Sequence, residues 1–486
     1  KKFDLKTYKR TENFFTKADY YYEEIRKRLY NKYGKNKLYS DGLIIKTSIN
    51  SKLQNYADQS LIEELIKYDK SQGWRGVYEK LTEKKFFEKE NIINKNNPFD
   101  KKWIPVFINK FNEKKSLEAF DHSKTKYLIN LNIDQNKWLL DKEFREGDVI
   151  FIEKIKNELI IRQIPEVNGA IVVMNHNNGD VLALSGGYSF RISEFNRATQ
   201  AKRQPGSAFK PFVYMTALKD GYTPSTLILD APYVVDQGPG LPKWKPANYT
   251  DEFYGLTTMR TGIEKSRNLM TVRLAHRLGM DKILDTLKDF NIEEDISSQL
   301  SMSLGSGLVT LLQITNAYGI IANGGIKITP KLISSIYSKD GNIVHNTNIK
   351  KCLNCKLKYK EIKNINNAIP LITQSKDFAV DPKIAYQITS MMEGVIKRGT
   401  ARKLNELNVP IAGKTGTTND NKDAWFIGYT PNLVIGVYVG YDTPKSLGYK
   451  QTGSSVAVPI FKNFSQKIQI NSKNIPFRIP SGISFV

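Results

Sequence analysis

The sequence predicts an α/β fold of the α+β kind, with a small β-rich insertion ahead of its main body. Three observations carry that prediction. Residues 169–174 and 181–187 are apolar, central-type strand runs joined by the turn Asn177-Asn178-Gly179-Asp180, which reads as a hairpin. An apolar helix beginning at Ser207 follows, and a second strand pair, 424–429 and 433–441, turns at Thr430-Pro431-Asn432. Between residues 106 and 161 short strand-like runs succeed one another across charged turns, with no helical periodicity between them.

The composition fits such a molecule. The 486 residues suffice for two or three domains with at least one large core. A content of 40% hydrophobic and 11% aromatic residues belongs to a folded chain. The formal net charge of +24 suits an anionic partner or, more plainly, lysines spread over solvated faces. The lysines are scattered, and neither zinc-finger spacing nor an RNP-like aromatic pattern is present, so no nucleic acid is expected. The two cysteines, Cys352 and Cys355, have only His345 nearby, too few ligands for zinc. A short surface disulfide or two idle thiols is expected there, and no metal or cofactor is expected at all. The most apolar window, 308–321, is interrupted by Thr310, Gln313, Thr315 and Asn316 and is too short to cross a bilayer. A chain that starts at Lys1 without methionine reads as a piece of a longer protein.

In chain order, 20–33 is a charged, tyrosine-rich amphipathic helix that should stop at Gly34. Residues 42–49 read as a strand. Asn50 or Ser51 then caps a helix with the apolar stripe Leu53, Ala57, Leu61, Leu65 and Tyr68. The strand-like runs 106–108, 127–131, 148–152 and 158–161 suggest a small, OB-like β-barrel serving as a spacer or partner-docking module. After the 169–187 hairpin comes the Ser207 helix. Residues 264–269 precede an amphipathic run through Leu278, and Thr310 caps a helix that Gly324-Gly325 ends. Asp381 starts another with Ile384, Ile388, Met391 and Met392 on one face.

The chemistry gathers at Gln204-Pro205-Gly206-Ser207-Ala208-Phe209-Lys210-Pro211-Phe212. Pro211 is tolerated only near a helix start and Pro205-Gly206 forces a turn, so Ser207 should lie at the helix N-terminus, where free N–H groups favour negative charge. Lys210 lies one turn on, placed to act as base for a serine nucleophile. The spacing alone is weak, since Ser123 to Lys126 fits it too. Ser266-Arg267-Asn268 and Lys414-Thr415-Gly416 follow in chain order, in loop and edge-strand contexts. Ser-x-Asn also occurs at 48–50 and 472–474, whereas Lys-Thr-Gly occurs once.

The ordered set is the signature of penicillin-binding proteins and class A β-lactamases. The flanks narrow it: Phe195-Asn196-Arg197-Ala198-Thr199-Gln200-Ala201, Leu304-Gly305-Ser306, Ala322-Asn323-Gly324-Gly325 and 414–431 closely resemble class A penicillin-binding proteins, bacterial cell-wall synthases. The resemblance implies a penicillin-binding transpeptidase fold, an antiparallel sheet flanked by helices and β-lactamase-like, with the OB-like insertion of proteobacterial-type 1A members. It implies a linker or pedestal over 1–75, the OB-like domain over 76–165, the transpeptidase domain over 166–465 and a tail over 466–486. It also implies a membrane anchor and a glycosyltransferase domain upstream, on the periplasmic side of the inner membrane.

The implied reaction is D,D-transpeptidation of peptidoglycan stem peptides, inhibited by β-lactams. Ser207 is the nucleophile, Lys210 its base when neutral, and Ser266 the proton relay to departing D-alanine, with Lys414 holding it electrostatically. Asn268 binds the acyl chain. Thr415 and Thr417 bind the terminal carboxylate, while Gly416 lets the peptide lie close to the strand. The N–H groups of Ser207 and Thr417 form the oxyanion hole. Other cell-wall synthesis proteins are expected partners through the OB-like module. The alternatives are a D,D-carboxypeptidase or β-lactamase-like hydrolase, or a non-enzymatic β-lactam sensor or scaffold. Arg267 replaces the aspartate of the β-lactamase motif, and no glutamate can be assigned to activate deacylating water.

Overall fold

The structure, a computed structural model, describes residues 17–100, 102–112, 115–236, 240, 243–292, 297–347, 351–353, 371–373, 377–469 and 475–485. The first helix, α1 (Asp19–Ser40), does break from helical geometry at Gly34, where φ is 77°, but resumes beyond it instead of ending there. Strand β1 (Ile44–Thr47) follows, then α2 (Ser51–Ser71), whose N-cap Asn50 accepts the Leu53 N–H through its side chain. That bond satisfies one of the donors every helix start leaves open.

The β-rich module holds β2 (Glu79–Lys80), the short helices α3 (Glu83–Glu88) and α4 (Glu90–Asn96), and strands β3 (Trp103–Asn112), β4 (Ser116–Phe120), β5 (Lys126–Asn130), β6 (Asp148–Ile155) and β7 (Glu158–Arg162). The two helices correct the expectation of an uninterrupted strand series. Each is under two turns long, with only Phe86 and Ile93 buried, too little for a periodic pattern to show. All pairs are antiparallel: β5-β4-β3-β6, with β2 and β7 both on β6. Among the described residues no ladder joins β5 to β7, so strand pairing does not close the sheet into the expected OB-like barrel.

The rest of the chain adds β8 (Asn168–Met174), β9 (Val181–Ser185), α5 (Lys210–Lys219), β10 (Leu227–Asp230), β11 (Gly255–Thr258), α6 (Met259–Glu264), α7 (Asn268–Leu278), α8 (Met280–Asp289), α9 (Leu311–Ala322), β12 (Ile333–Tyr337), β13 (Ile343–Asn346), β14 (Lys351–Leu353) and β15 (Leu371–Thr373). It closes with α10 (Pro382–Lys397), β16 (Ala412–Thr417), β17 (Asp423–Tyr429), β18 (Val434–Gly440) and α11 (Val458–Lys467). Thr310 forms a full capping box at α9 with Gln313, and Asp381 caps α10. Pairing of Cys352 with Cys355 lies outside the described residues.

The centre is a five-stranded antiparallel sheet in the order β16-β17-β18-β8-β9. Its strands read as continuous apolar runs because both faces are covered. Ala170, Val172 and Met174 face a core shared with α5, α7, α8 and α9. Ile171 and Val173 alternate to the opposite face, against Ala57, Leu61 and Leu65 of α2 and Ile460, Phe461 and Phe464 of α11. The strand carrying Lys-Thr-Gly is therefore an edge of this sheet, open on one side. No helix among the described residues is long and apolar enough to cross a membrane.

Candidate active site

Ser207 lies in a 3-10 turn, Gly206–Phe209, that feeds directly into α5. The α-helix proper thus begins at Lys210, with Pro211 in its first turn, three residues later than a start at Ser207 would place it. In 3-10 geometry residues three apart eclipse, so Ser207 and Lys210 stack one over the other. Three elements clamp the turn. Gly206 N–H donates to the Gly305 carbonyl at 3.2 Å, Tyr318 of α9 donates its hydroxyl to the Ala208 carbonyl at 2.6 Å, and β16 packs alongside. Gly206 has φ of 54°, and a Cβ there would overlap the Thr417 carbonyl oxygen. Only glycine meets both demands without cost.

Lys210 is fully buried, and its amine donates to the Ser266 carbonyl at 2.6 Å, to Asn268 Oδ1 at 2.7 Å and to Ser266 Oγ at 3.3 Å. Lys414, equally buried on β16, donates to the same Ser266 Oγ at 2.9 Å and to the Thr415 carbonyl at 3.1 Å. Two cations thus converge on one hydroxyl in a place that solvates neither. Burial, then the charges of Lys414 and Arg267, hold the Lys210 pKa well below the ordinary lysine range, with Asp230 opposing them. Burial alone lowers Lys414 to about 7. A neutral lysine has two N–H bonds and one lone pair. The Ser266 carbonyl and Asn268 Oδ1 take the two N–H groups, and the lone pair is left for a hydroxyl proton. No hydrogen bond joins Ser207 directly to Lys210 among the described residues.

Ser266 occupies the left-handed region at φ of 59°, a conformation a serine adopts only where its surroundings impose it. Asn268 is the first residue of α7 and donates its Nδ2 to the Ala247 carbonyl at 2.7 Å. On β16, Thr415 and Thr400 share a 2.7 Å hydroxyl contact, and Thr417 Oγ1 accepts the Gly453 N–H at 3.0 Å. That bond leaves the Thr417 hydroxyl proton free to donate outward. A Cβ on Gly416 would overlap the Pro205 carbonyl and meet Ala208 Cβ at 3.1 Å, so the close approach it permits is of the strand to the Ser207 turn. The expectation that it makes room for a peptide is corrected to that extent.

The structure brings together all eight predicted residues. It leaves out the rival Ser123, which sits in an exposed turn held by the Asp121 side chain, far from any helix start. Ser48-x-Asn50 is likewise absorbed, Asn50 as the α2 cap and Ser48 against Asp180. Residues 472–474 lie outside the described residues. Thr400, Gly453, Ser454, Asn248 and Asp230 escaped the sequence reading. Single hydroxyls and amides carry no spacing signal, and Ser454 meets Thr400 from 54 residues away. The flanking motifs prove structural: Arg197 is buried and grips Asp442 with two nitrogens while binding the Gly186 and Phe195 carbonyls.

An antiparallel sheet covered by helices on both faces, with a Ser-x-x-Lys turn clamped against its edge strand, defines the class as a penicillin-binding transpeptidase fold. More narrowly, the chain belongs to the penicillin-binding protein transpeptidase family, whose domain model, described as the penicillin binding protein transpeptidase domain, matches residues 169–466. It is 40% identical over 482 residues to Penicillin-binding protein 1A of Rickettsia bellii, covering 98% of this chain and 60% of that one. It is 32% identical over 493 residues to Penicillin-binding protein 1A of Neisseria gonorrhoeae, covering 97% and 59%. Among solved structures, Penicillin-Binding Protein 1A from Haemophilus influenzae superposes with a TM-score of 0.83 at 27% identity, over 96% of this chain and 72% of that one. The PonA1 protein of Mycobacterium tuberculosis, in complex with penicillin V, shares the fold at a TM-score of 0.62 and 19% identity, over 96% of both chains. The chain spans about 60% of the length of the curated relatives it matches.

Proposed function

We propose that this chain is the D,D-transpeptidase part of a peptidoglycan synthase, cross-linking stem peptides through an acyl-enzyme on Ser207. The observation that carries the reading is the meeting of two buried, pKa-depressed lysines on Ser266 Oγ beside a serine held on the 3-10 turn. The neutral Lys210 amine takes the Ser207 proton as Oγ bonds to the carbonyl carbon of the penultimate D-alanine. Backbone N–H groups of Ser207 and Thr417 hold the oxyanion, a contribution of about 3 kcal/mol in such sites. As the tetrahedral adduct collapses, the bond to the terminal D-alanine breaks. Its nitrogen receives the proton that Lys210 took, passed through Ser266, whose oxygen lies within reach of both amines. Thr415 and Thr417 donate to the terminal carboxylate, with Lys414 supplying charge nearby, and Asn268 spends its remaining N–H on the acyl chain. An amine of a second stem peptide then attacks the ester, and Ser207 regains its proton.

β-Lactams acylate the same serine in this reading. For the whole protein, the proposal extends to a cell-wall synthase at the periplasmic face of the inner membrane, with 76–165 docking other cell-wall synthesis proteins and 166–465 doing the chemistry. The test is labelling by a fluorescent penicillin, with Ser207→Ala beside Ser123→Ala, and then formation of cross-linked product from lipid II. Loss of label in the Ser207 variant alone, with a label persisting for many minutes in the wild type, is expected. An unlabelled wild type refutes the acyl-enzyme, and release within seconds makes the chain a hydrolase.

A further inference from the structure

Helix α7 begins without a side-chain cap of its own, since its N-cap residue is Arg267 and no side chain of that residue closes the first turn. The cap comes from the loop between β10 and β11. Asn248 Oδ1 accepts the N–H of Asn268 at 2.9 Å and of Leu269 at 3.3 Å, two of the open donors of the first turn. Asn248 is itself buried and fixed in orientation. Its Nδ2 donates to Asp230 Oδ1 at 2.8 Å and to the Glu252 carbonyl at 2.9 Å. Asp230 ends β10 and is fully buried. Its second oxygen has no hydrogen-bond partner and lies 3.9 Å from the equally unpartnered Arg267 Nε. The Arg267 guanidinium is stacked 3.2 Å from the centre of the Tyr254 ring, so it is held there and not free to close that gap.

From this network we infer that Asn248, oriented by the buried Asp230 carboxylate, is a positioning residue for the reaction. By fixing the first turn of α7 it sets the two acceptors, Ser266 O and Asn268 Oδ1, that aim the Lys210 lone pair. The same loop pins the far end of the Asn268 amide through the Ala247 carbonyl, so Oδ1 rather than Nδ2 must face Lys210. A buried carboxylate that merely filled space would be a costly choice, because an apolar residue of that size avoids its desolvation. Here it has an electrostatic consequence as well. The charges facing the Lys210 amine are Lys414 from β16, Arg267 from the turn before α7 and Asp230 from β10, and Asp230 alone favours the ammonium.

This inference rests on Lys210 acting as the base, and the experiment separates the two. The covalent rate constant and the affinity of the initial complex are measured with a fluorescent penicillin from about pH 5 to about pH 10. The variants are Asn248→Ala and Asp230→Asn, with Ser207→Ala as the control for the underlying reading. Asn248→Ala is expected to slow the covalent step roughly 10- to 100-fold while changing initial affinity less than about threefold. Asp230→Asn keeps an oxygen for the Asn248 amide and removes the charge, so Lys210 loses its proton more easily and the acid limb moves to lower pH. A covalent step within about threefold of wild type in Asn248→Ala, or an unmoved acid limb in Asp230→Asn, overturns the inference. Should Asn248→Ala fail to fold, the limb of Asp230→Asn decides, since a role confined to stability leaves that limb in place. Persistent labelling of Ser207→Ala instead sinks the acyl-enzyme reading itself.

Discussion

Replacing Lys414 with methionine keeps most of the side-chain volume and removes one of the two charges at the site. Both amines contact Ser266 Oγ, one at 3.3 Å and the other at 2.9 Å, so they lie no more than about 6 Å apart. At an effective dielectric constant of about 20, two unit charges at that distance repel by about 3 kcal/mol, or about two pH units. Lys210 is held further below the ordinary lysine range than Lys414, which stands at about 7, so Lys414 is still charged when Lys210 loses its proton. Removing that charge makes the Lys210 ammonium easier to keep and raises its pKa. The acid limb of the rate of acylation by penicillin should therefore move up by about two pH units in Lys414→Met. In the protonation-limited range the rate falls up to about a hundredfold from this cause alone. Part of the loss returns on raising the pH, whereas loss of the contact to Ser266 does not. A stopped-flow or gel-based acylation assay across pH reads both. An acid limb that stays in place, or moves down, refutes the electrostatic pairing of the two lysines.

Three further outcomes follow from the same structure. Lys414 is neutral-leaning when folded and fully charged when unfolded, so the unfolded chain binds more protons and stability rises with pH between about 7 and about 10. Lys414→Met should melt higher than wild type at pH 7, with the difference shrinking towards pH 10; a constant difference would contradict the burial cost. Gly206→Ala forces a side chain into a left-handed turn against the Thr417 carbonyl, and should cost about 1–3 kcal/mol by urea unfolding and abolish labelling. Wild-type labelling in that variant shows that β16 does not need the turn so close. Thr310→Ala removes the α9 capping box at a cost of about 1 kcal/mol and should leave the acylation rate unchanged, because Thr310 touches no site residue; a lowered rate shows that α9 steers the Ser207 turn.

What the sequence alone determined is local or ordered along the chain. The caps Asn50, Thr310 and Asp381 are legible because a short polar side chain before an apolar period has few other uses. The order Ser-x-x-Lys, Ser-x-Asn, Lys-Thr-Gly, with its flanks, pointed to the family and to eight residues that the fold gathers. The β-rich module was legible only in part, since helices as short as α3 and α4 leave no periodic trace. Tertiary structure decided the rest. It chose Ser207 over Ser123, because only Ser207 is pressed against an edge strand by Gly305, Tyr318 and Gly416. It also placed Lys210 against Ser266 and Asn268, and Lys414 on Ser266 from 148 residues away. The depressed pKa values, the support from Asn248 and Asp230, and the task of Gly416 all depend on what lies across space. Dielectric environment and distance between remote residues have no period in a sequence; packing creates them.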